Sequence, residues 1–427
     1  MLEMVLANEK GQVREYPGWA MTGRLVTQLV EPTKEEVIPL PAGATLTLLP
    51  HRHPVGIDPA GQFKAVEADP FDPRLKSALA VGALLPQGYT RTLVPAYIRP
   101  QVADPLPLFG YAAVGFKEGR FWVAAQQTDD DHRWNPSYYQ TPELASRLTE
   151  RLAAYPENRL LRHLARCARE YSCFTAQNIF YRRWEAGAPF SPACNARCVG
   201  CISEQAAECC PAPQMRISFR PSVQEVVEIA IPHLREAEDA IFSFGQGCEG
   251  EPSLRAEELA VALKEIRQQT DRGTLNLNSN AGRPGAIELL SQAGLNALRV
   301  SLISANAELY DHYHRPQGYG LNEVKESIQR AVNTGVYVSL NLLLFPGVTD
   351  REEELTALLD LVQETGLAMI QLRNLNIDPE IFLSLTPPSQ GASLGIPAFL
   401  QVLKQELPGV IVGNYSRTVG GPPKMEP

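Results

Sequence analysis

From Ser222 to Arg373 the chain alternates segments of helical period with short apolar runs, and this repeat restricts the fold more than any other feature of the sequence. Ser222 is a capping residue that opens an amphipathic stretch through 235, and Ala240-Ile241-Phe242-Ser243-Phe244 follows as a strand of the fully buried type. Helices near 255–270, 284–293, 322–334 and 350–365 continue the pattern, the last three closed by Gly294, Gly335 and Gly366. Glycine just past a helix reaches the left-handed conformation that ends it. Strands at 275–278, 298–303, 338–344 and 369–373 lie between them. Apolar strands joined through helices make a parallel sheet with helices on its outer face. Counting the segment that leads into Cys194 as the first strand gives six βα units, two short of a closed eight-fold barrel. The expected fold is therefore α/β, a partial (β/α)6 TIM-like barrel whose active face lies at the carboxyl ends of the strands.

Cys194-Asn195-Ala196-Arg197-Cys198-Val199-Gly200-Cys201 falls in the loop after that first strand, on the active face. Three thiolates at C-x3-C-x2-C spacing can hold three irons of a [4Fe–4S] cube and leave the fourth iron open to a substrate or cofactor. The same thiols could hold zinc, with Cys209 or Cys210 as the fourth ligand, in a non-catalytic zinc-binding or iron–sulfur electron-transfer module. Spacing alone leaves both open. The position of this loop on the functional rim of a barrel favours the open cluster over a structural zinc.

The cysteine loop and the six-unit arrangement together resemble the radical S-adenosylmethionine (radical SAM) superfamily. The resemblance implies an enzyme with two cofactors, a [4Fe–4S] cluster on Cys194, Cys198 and Cys201 and S-adenosyl-L-methionine, whose reductive cleavage yields a 5'-deoxyadenosyl radical. Gly250-Glu251-Pro252, after the second strand, looks like the end of the family's G-G-E-P motif, whose carboxylate accepts hydrogen bonds from the SAM ammonium group. Ser279-Asn280-Ala281 resembles T-N-G, and Arg299-Val300-Ser301-Leu302 resembles R-V-S-L. Carried over residue by residue, these matches make Gly250, Glu251, Asn280 and Ser301 the expected cofactor-binding residues. The sequence departs from the family at Gly200, where an aromatic residue is common, and at Cys248-Glu249, where more glycine is usual. Cys248 is the catalytic candidate, as a hydrogen-atom donor beside the cofactor, with simple packing as the alternative. The substrate is not identified by the resemblance; a peptide or protein is the first expectation, RNA or a small metabolite the next. An electron donor such as ferredoxin or flavodoxin is the implied partner.

Residues 1–140 have another texture, rich in proline and short strand-like runs, and are expected to form a mostly β accessory domain. Lys117-Glu118-Gly119, between Ala112–Phe116 and Arg120–Ala124, is a three-residue hairpin signal there. A helical connector is expected over 141–185, the radical SAM core over 186–378, and a cap or partly irregular tail over 379–427. Eight cysteines without an apolar leader argue for a reducing cytoplasm over a secreted disulfide scaffold. Cys167, Cys173, Cys209 and Cys210 flank the cluster loop and could bind a second metal. A net charge of −9 disfavours nucleic acid, whose binding depends on phosphate neutralisation, and no run is long and apolar enough to span a membrane.

Overall fold

The computed structural model describes residues 1–100, 103–106, 108–130, 132–204, 214–389 and 391–419. The chain divides into two compact units. One comprises Met1–Asn135, Leu344–Thr356 and Leu372–Pro408; the other comprises Pro136–Leu343, Ala357–Gln371 and Gly409–Pro427.

The first unit is built on an eleven-stranded sheet and a separate three-stranded sheet. Its pairings are antiparallel, as among Glu3–Asn8, Ala78–Leu84, Ala112–Lys117 and Arg120–Gln127. Successive side chains of a strand point to opposite faces, so residues two apart share one. Val5 and Ala7, Val81 and Ala83, Ala112 and Val114, and Val123 and Ala125 accordingly form one apolar layer. Ala113 and Ala124 pack into a second cluster with Met21, Val37 and Leu93. The hairpin at Glu118-Gly119 has a two-residue loop, because Lys117 pairs with Arg120. Both loop residues have positive φ, +53° and +76°, the signature of a type I′ turn that matches strand twist. The three-residue expectation missed the pairing of Lys117 itself.

Two helices from the far end of the chain, α10 (Pro379–Leu385) and α11 (Ile396–Glu406), are part of this first unit. Arg52 and Asp378 form a fully buried ion pair at 3.1 Å. Arg91, also fully buried, donates to the carbonyls of Phe109 and Leu375 at 3.3 and 2.8 Å. Burial lowers its guanidinium to about 9.

The second unit opens with three helices, α1 (Leu144–Ala154), α2 (Arg159–Glu170) and α3 (Phe174–Tyr181). Seven strands then lie side by side in sequence order: Arg183–Gly187, Glu238–Phe244, Thr274–Ser279, Ala297–Leu302, Tyr337–Leu344, Met369–Asn374 and Ile411–Gly413. The registers of the first five and of the last pair are parallel. The crossovers carry α4 (Val223–Glu236), α5 (Ala256–Gln269), α6 (Pro284–Gln292), α8 (Leu321–Asn333) and α9 (Glu352–Thr365). A short extra helix, α7 (Ala307–His314), follows the fourth strand. Ser222 caps α4 through a full capping box with Glu225. The fold is thus the expected partial barrel with a sheet-rich N-terminal region. Ile411–Gly413 adds a seventh strand in a tail expected to be a cap or irregular; three residues are too few to show a period. No helix among the described residues is long and apolar enough to cross a membrane.

Candidate functional site

The interior of the barrel is polar. Strand residues that point inward are Glu185, Ser243, Asn276, Asn278, Arg299, Ser339 and Gln371, one or two from each of the first six strands. Arg299 sits at the centre, donating to Glu185 at 2.6 Å, Asn278 at 2.7 Å and Gln371 at 3.2 Å. Ser243 and Ser416 donate to the two oxygens of Glu185, and Gln371 donates to Ser339. Burial alone would raise the Glu185 carboxyl, but Arg299 and the two hydroxyls outweigh it and hold the group below its ordinary range. A buried charge persists only when paired and fully hydrogen-bonded, as here. Glu185 was not legible in the sequence, because it sits in a strand whose pattern is too short to mark its facing.

The cysteine loop leaves the first strand at the carboxyl end and is held by backbone bonds to the end of α7. Arg197 N–H donates to the carbonyls of His314 and Arg315, Val199 N–H to Tyr313, and Gln317 N–H to Asn195. Tyr313 brings its hydroxyl to Gly200: a Cβ added there would lie 2.5 Å from the phenol oxygen. The Tyr313 ring, from α7, thus stands next to the position where the family commonly carries an aromatic residue. His314 is buried, and its tautomer follows from its partners. Ile303 N–H donates to Nε2 at 3.1 Å, so Nδ1 carries the proton and faces Cys198 Sγ at 3.4 Å. Burial pushes its ring down to about 3, so it is neutral at physiological pH. Arg216 approaches Cys201 Sγ at 3.6 Å and Ser203 at 3.1 Å. Burial pushes the Cys194 thiol up to about 11 and raises Cys198 as well, with the Glu251 charge acting in the same direction.

The loop after the second strand is fastened to this one. Gly250 N–H donates to Ser191 and Glu251 N–H to Ala193, immediately before Cys194. A Cβ at Gly250 would lie 2.0 Å from the Ala193 carbonyl oxygen, so only glycine allows this approach. Glu249 is buried and accepts four backbone N–H groups: Gly245 and Gln246 on one oxygen, Phe190 and Ser191 on the other, at 2.6–2.9 Å. Burial raises its carboxyl to about 7 against those donors. Glu251 accepts from Ser253 N–H and Ser279 Oγ on Oε1 and from Asn280 N–H on Oε2. Asn280 donates onward to Asn195 in the cysteine loop at 2.8 Å. Ser301 is half-buried on the fourth strand, opposite Asn341, and its hydroxyl has no hydrogen-bond partner among the described residues. Cys248 is buried with its thiol against Cys167 of α2. Cys209 and Cys210 lie outside the described residues.

The sequence-predicted residues thus converge at one end of the barrel, except that Cys248 points its sulfur toward α2. The loop thiols suit a metal centre, since thiolates are metal ligands and His314 and Arg216 supply donors to the sulfurs of Cys198 and Cys201. A hydroxyl on Ser301 and one acceptor position on Glu251 Oε2 remain for a polar ligand.

Residues 188–359 match the family model described as Radical SAM superfamily. This segment, which carries the cysteine loop, belongs to that superfamily, an enzyme family whose cofactors are a [4Fe–4S] cluster and S-adenosylmethionine. It is similar to a protein of Methanosarcina acetivorans named as a probable GTP 3',8-cyclase, 30% identical over 197 residues, 44% of this chain and 54% of that one. The chain spans about half the length of that curated relative. Among solved structures it is similar to a radical SAM methyltransferase from Sphaerobacter thermophilus, at 17% identity and TM-score 0.38 over 54% of this chain and 65% of that one. Methylornithine synthase is another, at 13% identity and TM-score 0.36 over 62% and 73%.

Proposed function

We propose that Cys194, Cys198 and Cys201 hold three irons of the [4Fe–4S] cluster and that the protein uses the resulting 5'-deoxyadenosyl radical to abstract hydrogen from a peptide or protein. The observation that carries this reading is the direct fastening of the three-thiol loop to Glu251 and Asn280, through Ala193 and Asn195. When bound, the cluster supplies the electron that splits S-adenosylmethionine into methionine and the 5'-deoxyadenosyl radical. The chain's own residues hold and shield the reactants. The free acceptor position of Glu251 takes the ammonium group of the methionine half, Gly250 lets the backbone approach it, and Asn280 and Ser301 offer polar contacts to the rest of the cofactor. Tyr313 stands over Gly200 as the aromatic wall that relatives carry within the cysteine motif itself.

The peptide reading is supported by the Gly250-Glu251-Pro252 and Arg299–Leu302 pattern; a nucleotide substrate is the reading that the archaeal relative's name suggests. The electron comes from a small reductant protein such as ferredoxin or flavodoxin. Anaerobically reconstituted protein is expected to carry about four irons per chain and, with dithionite and S-adenosylmethionine, to release 5'-deoxyadenosine. Changing all three loop cysteines to alanine abolishes both. Stoichiometric zinc without iron uptake would overturn the reading. Consumption of GTP with 5'-deoxyadenosine release would overturn the peptide assignment alone.

A further inference from the structure

A second group of metal-ligating side chains lies apart from the cysteine loop. Among the described residues, His163, Cys167 and Cys248 bring one ligand atom each to within 4.8 Å of one another. His163 and Cys167 are four residues apart on α2, so both project from the same helical face, with Nε2 and Sγ at 3.5 Å. Cys248 comes from the loop after the second barrel strand, and both cysteines are buried. His163 is half-buried and stands edge-on to Phe219. Cys173, in the turn after α2, is held beside Cys167 by its backbone N–H, which donates to the Cys167 carbonyl at 3.2 Å.

Zinc–sulfur bonds of about 2.3 Å and zinc–nitrogen bonds of about 2.0–2.1 Å place tetrahedral ligands a little under 4 Å apart. The observed spacing needs only small side-chain adjustments to reach that value. The three cysteine-loop thiols are not gathered this closely among the described residues, as suits ligands bound to different irons of a larger cluster. Burial favours a structural site over an exposed catalytic one, and one imidazole beside two thiolates is a donor set that suits zinc.

We propose that His163, Cys167 and Cys248 bind one zinc(II) ion, with Cys173 as the candidate fourth ligand, and that this ion ties α2 to the loop carrying Glu249 and Glu251. None of these ligands belongs to the cysteine loop, so the proposal stands or falls independently of the cluster reading. It also gives Cys248 a purpose other than hydrogen-atom donation: its thiolate would be spent on the metal. The tie would fix the loop at a point separate from its bonds to Ser191 and Ala193.

The test uses the full chain. Native mass spectrometry of anaerobically purified wild-type protein from zinc-supplemented culture is expected to show one zinc per chain beside the cluster. The Cys194→Ala/Cys198→Ala/Cys201→Ala variant, titrated with cobalt(II) chloride, is expected to bind one equivalent with the intense visible bands of tetrahedral thiolate-bound cobalt. Adding Cys167→Ser or Cys248→Ser is expected to remove those bands, and His163→Ala to weaken cobalt affinity at least tenfold. Wild-type protein without zinc, including a mass two hydrogens short that reports a Cys167–Cys248 disulfide, overturns the proposal. So does iron uptake in the triple variant with absorption near 400 nm, which would assign a second iron–sulfur cluster. The wild-type mass measurement needs no variant to fold, so the proposal remains falsifiable if the substitutions destabilise the chain.

Discussion

Glu249 and Glu251 stand two residues apart in one loop, and counting acceptor positions separates their roles. A carboxylate offers about four lone-pair sites. Glu249 has all four filled by backbone N–H groups, whereas Glu251 has three filled and one open on Oε2. Glu249 is therefore a staple that holds Phe190 and Ser191 against the glycine-rich turn, and Glu251 is the one that can receive an ammonium group. Glu251→Ala is expected to weaken S-adenosylmethionine binding by roughly 10- to 150-fold, the equivalent of about 1.5–3 kcal/mol for a charged hydrogen bond. Glu249→Ala, which strands four buried donors, is expected to give protein that loads little iron. Titration calorimetry with S-adenosylmethionine and iron content separate the two; unchanged affinity in Glu251→Ala would show that the ammonium binds elsewhere. The motif match alone picked Glu251 in the sequence. The part played by Glu249 was illegible there, because its donors at Phe190 and Ser191 come from another strand end.

At the scale of elements, the junction between α4 and the first barrel strand contains a histidine that titrates only at a cost. His233 is buried in α4 and donates from Nε2 to the Trp184 carbonyl at 2.9 Å. Burial lowers its ring to about 4. In the unfolded chain it takes a proton below its ordinary value of about 6.5, while the folded state resists until about 4. The unfolded state therefore binds more protons between those values, and stability falls as pH drops through that window. At pH 5 the loss amounts to about 2 kcal/mol, at about 1.4 kcal/mol per pH unit. Urea midpoints at pH 7.5 and 5.0 measure it, and His233→Gln is expected to show a smaller drop than wild type. An equal drop in both would assign the acid sensitivity to other groups.

Taken as a whole molecule, the N-terminal β region cannot be separated at residue 140 without loss. Leu344–Thr356 and Leu372–Pro408 belong to the same compact unit as Met1–Asn135. Removing residues 1–140 would leave Asp378 buried without Arg52 and take away the Arg91 guanidinium that bonds the Leu375 carbonyl. Breaking one buried ion pair costs about 3–5 kcal/mol, a large part of a typical domain's stability. A truncated chain starting near Pro142 is expected to be insoluble or free of iron. Soluble truncated protein with a full iron complement would show instead that 372–408 folds without the N-terminal region.

Periodicity within each segment, together with glycine and serine at the segment ends, was enough to determine the alternating strands and helices of the barrel, because those signals act between neighbours in the chain. The three loop cysteines were equally legible, since their spacing is local. Tertiary structure alone decided which distant groups complete the site. Tyr313 fills the space in front of Gly200, His314 supplies the proton that faces Cys198, and Glu185 meets Arg299 inside the barrel. Cys248 is the clearest case: beside Glu249 in sequence it reads as part of the cofactor loop, yet its sulfur turns to Cys167 and His163 on α2. Neighbouring side chains along an extended loop diverge, so one local motif can serve two different sites.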